Sequence, residues 1–146
     1  MEDRYISNIK STKRTLRFMH SKQDEEIVID ANYYEFMHYR FTGILSIYHK
    51  DYGEECINVS QNDFFELQKE AMKTQNFMPF KKYIINLSKI DEFWYDSKDL
   101  TVSYITKNNK RYDIEIQSEE DFRDLVKFLS RRYKISTEDD EAFHCD

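Results

Sequence analysis

The sequence predicts an α+β fold that is mainly antiparallel β, with a mid-chain helix and a C-terminal helix. Short apolar or alternating segments, separated by turn residues, are typical of antiparallel strands. Two later segments have apolar residues at helical spacing, and a serine that can cap a helix precedes each of them. The 146 residues include 11 Phe, 11 Tyr and 1 Trp, which supply enough apolar area for a core.

Four strands are predicted before the first helix. Their residues are apolar, aromatic or β-branched and are bounded by turn residues. These strands cover 26–30, 33–41, 44–48 and 55–59. Residues 49–53 join the last two strands as a hairpin, in which Gly53 supplies a positive φ.

The first helix is predicted to begin after Ser60. Asp63 follows three residues later, which is close to a capping-box arrangement. The apolar face of this helix is predicted to contain Phe64, Leu67, Ala71 and Met72. The chain then leaves the helix through Pro79 and enters a buried strand over 83–87, which 90–95 continues past a bend.

The last two strands and the second helix have the clearest patterns. Strands are predicted over 100–105 and 111–116, because apolar and charged residues alternate in the second of them. Ser118 is predicted to cap the second helix, and the acidic residues after it suit the helix dipole. The buried stripe of this helix is predicted to contain Phe122, Leu125, Val126 and Leu129.

The charge distribution divides the chain into three parts. The net charge is −6, but residues 138–146 hold five of the 28 acidic residues, which leaves 23 against 22 basic residues elsewhere. Residues 1–22 carry six basic and two acidic residues. We therefore predict a basic N-terminal arm (1–24), a single α+β domain (25–134) and an acidic C-terminal tail (135–146). The basic arm suits contact with phosphate, and the acidic tail suits contact with a basic partner. The alternative is that both ends are simply solvated.

Targeting and cysteine content predict a cytoplasmic protein without membrane contact. No stretch approaches the roughly 18 apolar residues of a membrane-spanning helix, and residues 1–6 lack the apolar core of a signal peptide. The two cysteines, Cys56 and Cys145, do not form a disulfide framework. No histidine or cysteine spacing is typical of a metal site, so neither a metal nor a cofactor is expected.

The sequence does not predict an enzyme. It contains no phosphate-binding loop and no nucleophile motif, and helix caps or turns account for most of its paired acidic residues. A Cys56 nucleophile would need His49 across the predicted hairpin. We expect Cys56 instead to be a small buried residue of a strand.

Several basic residues are candidates for one phosphate-binding surface. Lys81 and Lys82 stand beside aromatic residues at the edge of an apolar strand. Spacing of i, i+4 and i+8 places Arg123, Lys127 and Arg131 on one face of the last helix. Lys and Arg on one face with aromatic neighbours suit phosphate contact. The alternative is that the helix cations pair with the nearby acidic residues, which are Glu119, Glu120 and Asp124.

The segment 77–90 resembles the LytTR-type DNA-binding domain. It reads FMPFKKYIINLSKI, and the family carries F-x-R-x-H-[KR]-S-[YF]-[IV]-[IV]-N-x-x-x-I after a helix. Pro79 stands where the family has Arg, Lys81 stands where it has His, and the Ser before Tyr83 is missing. The order of the surrounding strands and helices also resembles the family, over roughly residues 25–130.

This resemblance implies a transcription regulator that binds duplex DNA and acts without a receiver domain. The residues that it assigns to phosphate or base contact are Lys81, Lys82 and Arg123, with Arg40 from the first turn region. Lys127 joins them through its shared helix face. By the same resemblance, Tyr83, Ile84, Ile85, Asn86 and Ile90 belong mainly to the scaffold.

The alternative function is a non-catalytic protein-binding module. An inhibitor, immunity or anti-defence protein would occupy the surface of a partner, and its acidic ends would mask a basic protein. A pleckstrin-homology-like module belongs to the same class, since several strands closed by a capped helix suit that fold. A homodimer is compatible with both functions.

Overall fold

The computed structural model describes residues 4–22, 24–40 and 42–136. The chain divides into two compact units, Met1–Ser88 and Lys89–Asp146, where the sequence predicts a single domain over 25–134. Antiparallel sheets and two helices confirm the α+β class.

The first unit contains two antiparallel sheets and one helix. Its elements are β1 (Ile6–Ser11), β2 (Thr15–His20), β3 (Glu25–Asp30), β4 (Tyr34–Arg40), β5 (Ile44–His49), β6 (Gly53–Asn58), α1 (Gln61–Ala71), β7 (Phe77–Phe80) and β8 (Tyr83–Asn86). The sheets have the strand orders β1-β2-β3 and β6-β5-β4-β8-β7. Residues from both sheets and from α1 share one hydrophobic core. A 3₁₀ turn, Leu87–Lys89, lies at the boundary between the units.

The second unit contains one sheet and one helix. Its elements are β9 (Ile90–Asp96), β10 (Thr101–Thr106), β11 (Arg111–Glu115), α2 (Glu119–Ser130) and β12 (Lys134–Ile135). The strand order is β11-β10-β9-β12, in which β12 runs parallel to β9. Phe122, Leu125 and Leu129 are buried in α2, as its apolar spacing predicts, whereas Val126, the fourth residue of the predicted stripe, is only half-buried.

Both helix caps are confirmed. The backbone N–H of Asp63 donates to Ser60 Oγ at 3.1 Å, and the Ser60 N–H donates to Asp63 Oδ2 at 3.1 Å, which completes a capping box. At α2, the Asp121 N–H donates to Ser118 Oγ at 3.3 Å. The predicted β5–β6 hairpin is also present, and Gly53 has a φ of +80°.

The N-terminal segment differs from the predicted arm. Within residues 1–24, β1 and β2 pair with each other and then with β3, so they belong to a sheet of the first unit. Apolar residues on alternate positions explain their burial, since Leu16 and Phe18 are both in the core. The basic residues Lys10 and Arg17 lie on these strands and are exposed. In the predicted tail, residues 137–146 lie outside the described residues.

Three further elements depart from the predicted ones. Phe77–Phe80 forms an edge strand, a position where a residue without an N–H such as Pro79 is tolerated. Residues 90–96 do not continue β8, because a 3₁₀ turn separates the two and β9 belongs to the second unit. Met72 is not on the buried face of α1: it is the C-cap residue, and 72% of it is exposed.

Cys56 is exposed, which corrects the prediction of a buried thiol. It lies on β6, an edge strand on which Ile57 is the buried side chain. The hairpin register pairs Cys56 with Ser46 and pairs His49 with Gly53. His49 therefore does not face the thiol across the hairpin.

The contact between Glu70 and Ser11 predicts a pH-dependent stability. Ser11 Oγ donates to Glu70 Oε2 at 2.6 Å, and this bond, with Lys73 nearby, holds the pKa of Glu70 below its ordinary value of 4.5 although burial opposes the shift. A lowered folded-state pKa stabilises the protein above pH 4.5, and the gain is lost as the pH falls through that pKa. We expect Ser11→Ala to be less stable than wild type at pH 7 by urea denaturation, with a difference that shrinks on acidification. Ser7→Ala on the same strand is the control, and a difference independent of pH would contradict the assignment.

Candidate nucleic-acid interface

Lys81 and Lys82 form the two-residue turn between β7 and β8. Phe80 pairs with Tyr83 across this turn. Lys81 has a φ of +52°, in the left-handed region that glycine and asparagine usually occupy. The turn thus places two successive cations at the tip of a hairpin, with Lys81 exposed and Lys82 half-buried.

Hydrogen bonds to its backbone carbonyl groups hold this turn in place. Gln68 Nε2 on α1 donates to Lys81 O at 2.6 Å and to Tyr83 O at 3.3 Å. The Tyr39 N–H on β4 donates to Lys82 O at 2.8 Å. The Lys82 ammonium lies 5.7 Å from the centroid of the Tyr83 ring, within cation–π range. Fixing the backbone in this way reduces the entropy lost when the lysines bind an anion.

The left-handed conformation of Lys81 predicts that glycine stabilises the turn. A non-glycine residue pays roughly 1 kcal/mol in this region, and part of that gain is offset by the greater freedom of glycine in the unfolded chain. We expect Lys81→Gly to raise the free energy of unfolding by about 0.5 kcal/mol, measured by urea denaturation. Lys82→Gly removes the same charge where φ is not left-handed, and we expect it to destabilise the protein. If both variants changed the free energy of unfolding by the same amount, the backbone of Lys81 would not be strained.

Arg40 is engaged inside its own sheet. Its guanidinium donates to Ser46 Oγ at 3.1 Å and to Glu54 Oε2 at 3.0 Å. Hydrogen bonds from Ser46 and Tyr48, with the charge of Arg40, hold the pKa of Glu54 below its ordinary value against the effect of burial. Arg40 would have to exchange its carboxylate for a phosphate to contact DNA.

The basic face of α2, which we define as Arg123, Lys127 and the C-cap residue Arg131, is exposed. Within the described part of the chain, Arg123, Lys127 and Arg131 form no ion pair, so the alternative, in which they pair with neighbouring acidic residues, does not occur there. The Arg132 guanidinium lies over the Phe128 ring, 4.3 Å from its centroid. A shallow depression is lined by Asp124, Lys127, Phe128, Arg131 and Arg132.

The candidate residues thus fall into two groups. Lys81, Lys82 and Arg40 belong to the first unit, whereas Arg123 and Lys127 belong to the second. In the second group, the helical spacing of α2 brings Arg123 and Lys127 together on one face.

The described residues contain no metal-binding cluster. There, no group of three or more His, Cys, Asp or Glu residues could hold a metal ion. His49 Nδ1 accepts hydrogen bonds from the backbone N–H groups of Asp51 and Tyr52, so this ring orders its own turn. Neither α1 nor α2 is long and apolar enough to cross a membrane, and the structure describes no other α-helix.

Two features of the first unit were not predicted, and they lie at opposite ends of its five-stranded sheet. Gln68 acts through a contact 13 residues away in the chain, and no sequence pattern identifies such a tether. Tyr33 and Tyr52 each stack against the His49 ring, with interplanar angles of 3° and 27°, and they are 48% and 80% exposed. Tyr52 could have been identified from the sequence, because an aromatic residue beside Gly53 in a predicted turn is expected to be exposed.

Comparison with known proteins assigns the architecture to a known fold. No protein-family model matches the chain, and no curated protein matches it. A similar solved structure is the LytTr DNA-binding domain of a methyl-accepting/DNA response regulator from Bacillus cereus. It is 15% identical, with a TM-score of 0.50, over 79% of this chain and 98% of that domain. The chain therefore has a LytTR-type fold, which confirms the resemblance at the level of the fold.

Proposed function

We propose that this chain is a LytTR-like regulator of transcription that binds duplex DNA in the cytoplasm. The observation that carries the proposal is the tethered Lys81–Lys82 turn on a LytTR-type fold. The basic face of α2 supplies a second set of cations. Lys and Arg that replace condensed counterions give most of the non-specific affinity for DNA and make that affinity depend on salt.

Each group of cations has a definite role in this proposal. Lys81 and Lys82 contact neighbouring phosphates from a fixed backbone, which sets the orientation of the protein on the duplex. Arg123 and Lys127 add phosphate contacts, and Arg40 contributes once DNA displaces Glu54. Analytical ultracentrifugation with and without DNA would show whether the chain binds as a monomer or as a homodimer.

The test is fluorescence anisotropy with random duplex DNA at several salt concentrations. Each phosphate contact contributes about 0.9 to the slope of log affinity against log salt. We expect Lys81→Gln/Lys82→Gln to lower the slope by about 1.8 and to weaken binding about tenfold or more at low salt. The matched control is Lys107→Gln/Lys110→Gln, which removes two charges from another exposed turn.

Two results would refute this proposal. One is the absence of salt-dependent binding by the wild-type chain at low salt. The other is an equal loss of DNA affinity in the Lys107→Gln/Lys110→Gln control, because the loss would then follow from the net charge of the protein and not from the Lys81–Lys82 turn.

A protein-binding module remains the second candidate, and the exposed rings of Tyr33 and Tyr52 favour it. Aromatic residues are enriched at the centres of protein interfaces. If this function is correct, Tyr33→Ser/Tyr52→Ser abolishes cross-linking to a protein partner, while neutralising Lys81 and Lys82 leaves it unchanged. Cross-linking that is unchanged in Tyr33→Ser/Tyr52→Ser would refute this second function.

A further inference from the structure

The basic face of α2 presents several cations without partners among the described residues. Arg123, Lys127 and Arg131 recur at i, i+4 and i+8, so they form a row about 12 Å long at a rise of 1.5 Å per residue. No described carboxylate lies within 4.0 Å of their side-chain nitrogens. A row of like charges at this spacing is mutually repulsive, and an anion bound along it relieves that repulsion.

Acidic residues of α2 itself do not neutralise this row. Glu119, Glu120 and Asp121 occupy the first turn of the helix, where they interact favourably with its dipole. Asp124 lines the same depression as Lys127 and Arg131 without pairing with either. A polyanion is therefore the complementary occupant.

This chain carries such a polyanion a few residues after α2 in the sequence. Residues 137–146 contain five acidic residues and no Lys or Arg, and four of the five are consecutive at 138–141. The segment follows Ser136, whose N–H donates to Phe93 O at 2.8 Å and thereby fixes its starting point within the second unit. Ten residues can span up to about 33 Å, which exceeds the length of the row. The covalent link also gives the segment a high effective concentration at this face.

We propose that the acidic run 138–141 binds the basic face of α2. Exposed ion pairs are individually weak and are screened by salt, so the contact is reversible. Under the proposed function, on which this part rests, the run competes with DNA phosphates for Arg123, Lys127 and Arg131. The acidic segment then weakens non-specific binding and leaves the Lys81–Lys82 turn available.

The contact can be measured without DNA. A nitroxide spin label on Cys145, in a Cys56→Ser background, broadens the NMR signals of amides that the segment approaches. We expect broadening along the basic face of α2 that is lost at about 1 M salt, where the Debye length falls to about 3 Å. The matched control, Glu138→Gln/Asp139→Asn/Asp140→Asn/Glu141→Gln, keeps the tether length and removes the charge. Equal broadening in that control would overturn the proposal.

A second variant tests the face itself. Arg123→Gln/Lys127→Gln/Arg131→Gln replaces exposed side chains only, and we expect it to lose the broadening while its amide spectrum remains that of a folded chain. Broadening that persists in this variant would also overturn the proposal.

The DNA arm separates this inference from the proposed function. We expect the protein with the neutralised segment to bind duplex DNA at least about fivefold more tightly than wild type, within the usual range of coupling between two sites. The same neutralisation should leave the DNA affinity of the Arg123→Gln/Lys127→Gln/Arg131→Gln variant unchanged. Broadening along α2 without any DNA binding supports the contact and refutes the proposed function. Binding of DNA without charge-dependent broadening supports the proposed function and refutes the contact.

Discussion

Asp63→Ala is expected to lower the free energy of unfolding by about 3 kcal/mol, because it leaves buried donors without an acceptor. The Asp63 carboxylate is fully buried. It accepts hydrogen bonds from the backbone N–H of Tyr5 at 2.8 Å and of Ser60 at 3.1 Å, and from Arg4 Nε at 3.3 Å. One side chain thus caps α1 and also fastens the chain just before β1. Urea denaturation followed by circular dichroism measures the loss.

The second helix cap supplies the control for Asp63. Ser118→Ala removes a comparable hydrogen bond at a partly exposed position, where we expect a loss of about 1 kcal/mol. Hydrogen exchange should further show that Asp63→Ala exposes the amides of β1 as well as those of α1. A loss confined to the first turn of α1 would contradict the role of Asp63 in holding the N-terminal strands.

Asn86→Asp is expected to destabilise the protein by more than about 3 kcal/mol at pH 7. Asn86 is fully buried, and its Nδ2 donates to Ala31 O at 2.7 Å and to Tyr34 O at 2.6 Å. Its Oδ1 accepts from the N–H and the hydroxyl of Ser88 at 3.0 and 2.6 Å. A carboxylate would direct negative oxygen at the two carbonyls, which repel it.

The pH dependence of Asn86→Asp distinguishes this cause from a loss of packing. Burial beside two carbonyls raises the folded-state pKa of the new carboxyl above its unfolded value of about 3.9. Such a group favours folding below the unfolded pKa and loses that contribution as the pH rises through the folded pKa. We therefore expect the deficit relative to wild type to shrink on acidification from pH 7. Asn58→Asp on the exposed part of β6 is the matched control, with an expected effect within about 0.5 kcal/mol.

Local sequence was a good guide to the helices and hairpins. Ser60 and Ser118 cap the helices because their hydroxyls reach N–H groups only three residues away. The β5–β6 and β10–β11 hairpins follow from alternating residues around short turns. The resemblance in 77–90 rests on buried positions such as Tyr83 and Asn86, and it led to the LytTR-type fold.

Long-range contacts explain what local pattern did not predict. The basic composition of residues 1–24 indicated an arm, whereas Asp63 binds Tyr5 from 58 residues away and Glu70 binds Ser11 from 59 residues away. Cys56 is apolar enough for burial, but its exposure depends on β6 being an edge strand. Neither pairing nor strand order is encoded within a short window of sequence.

By itself the sequence determined the fold class, the two capped helices, most of the strands and the basic row on α2, because each depends on neighbours within one or two turns. The tertiary structure alone decided that the N-terminal segment joins a sheet, that Gln68 and Tyr39 hold the Lys81–Lys82 turn, and that Glu54 engages Arg40. These features join residues that only the folded chain brings together, at separations that no periodicity records.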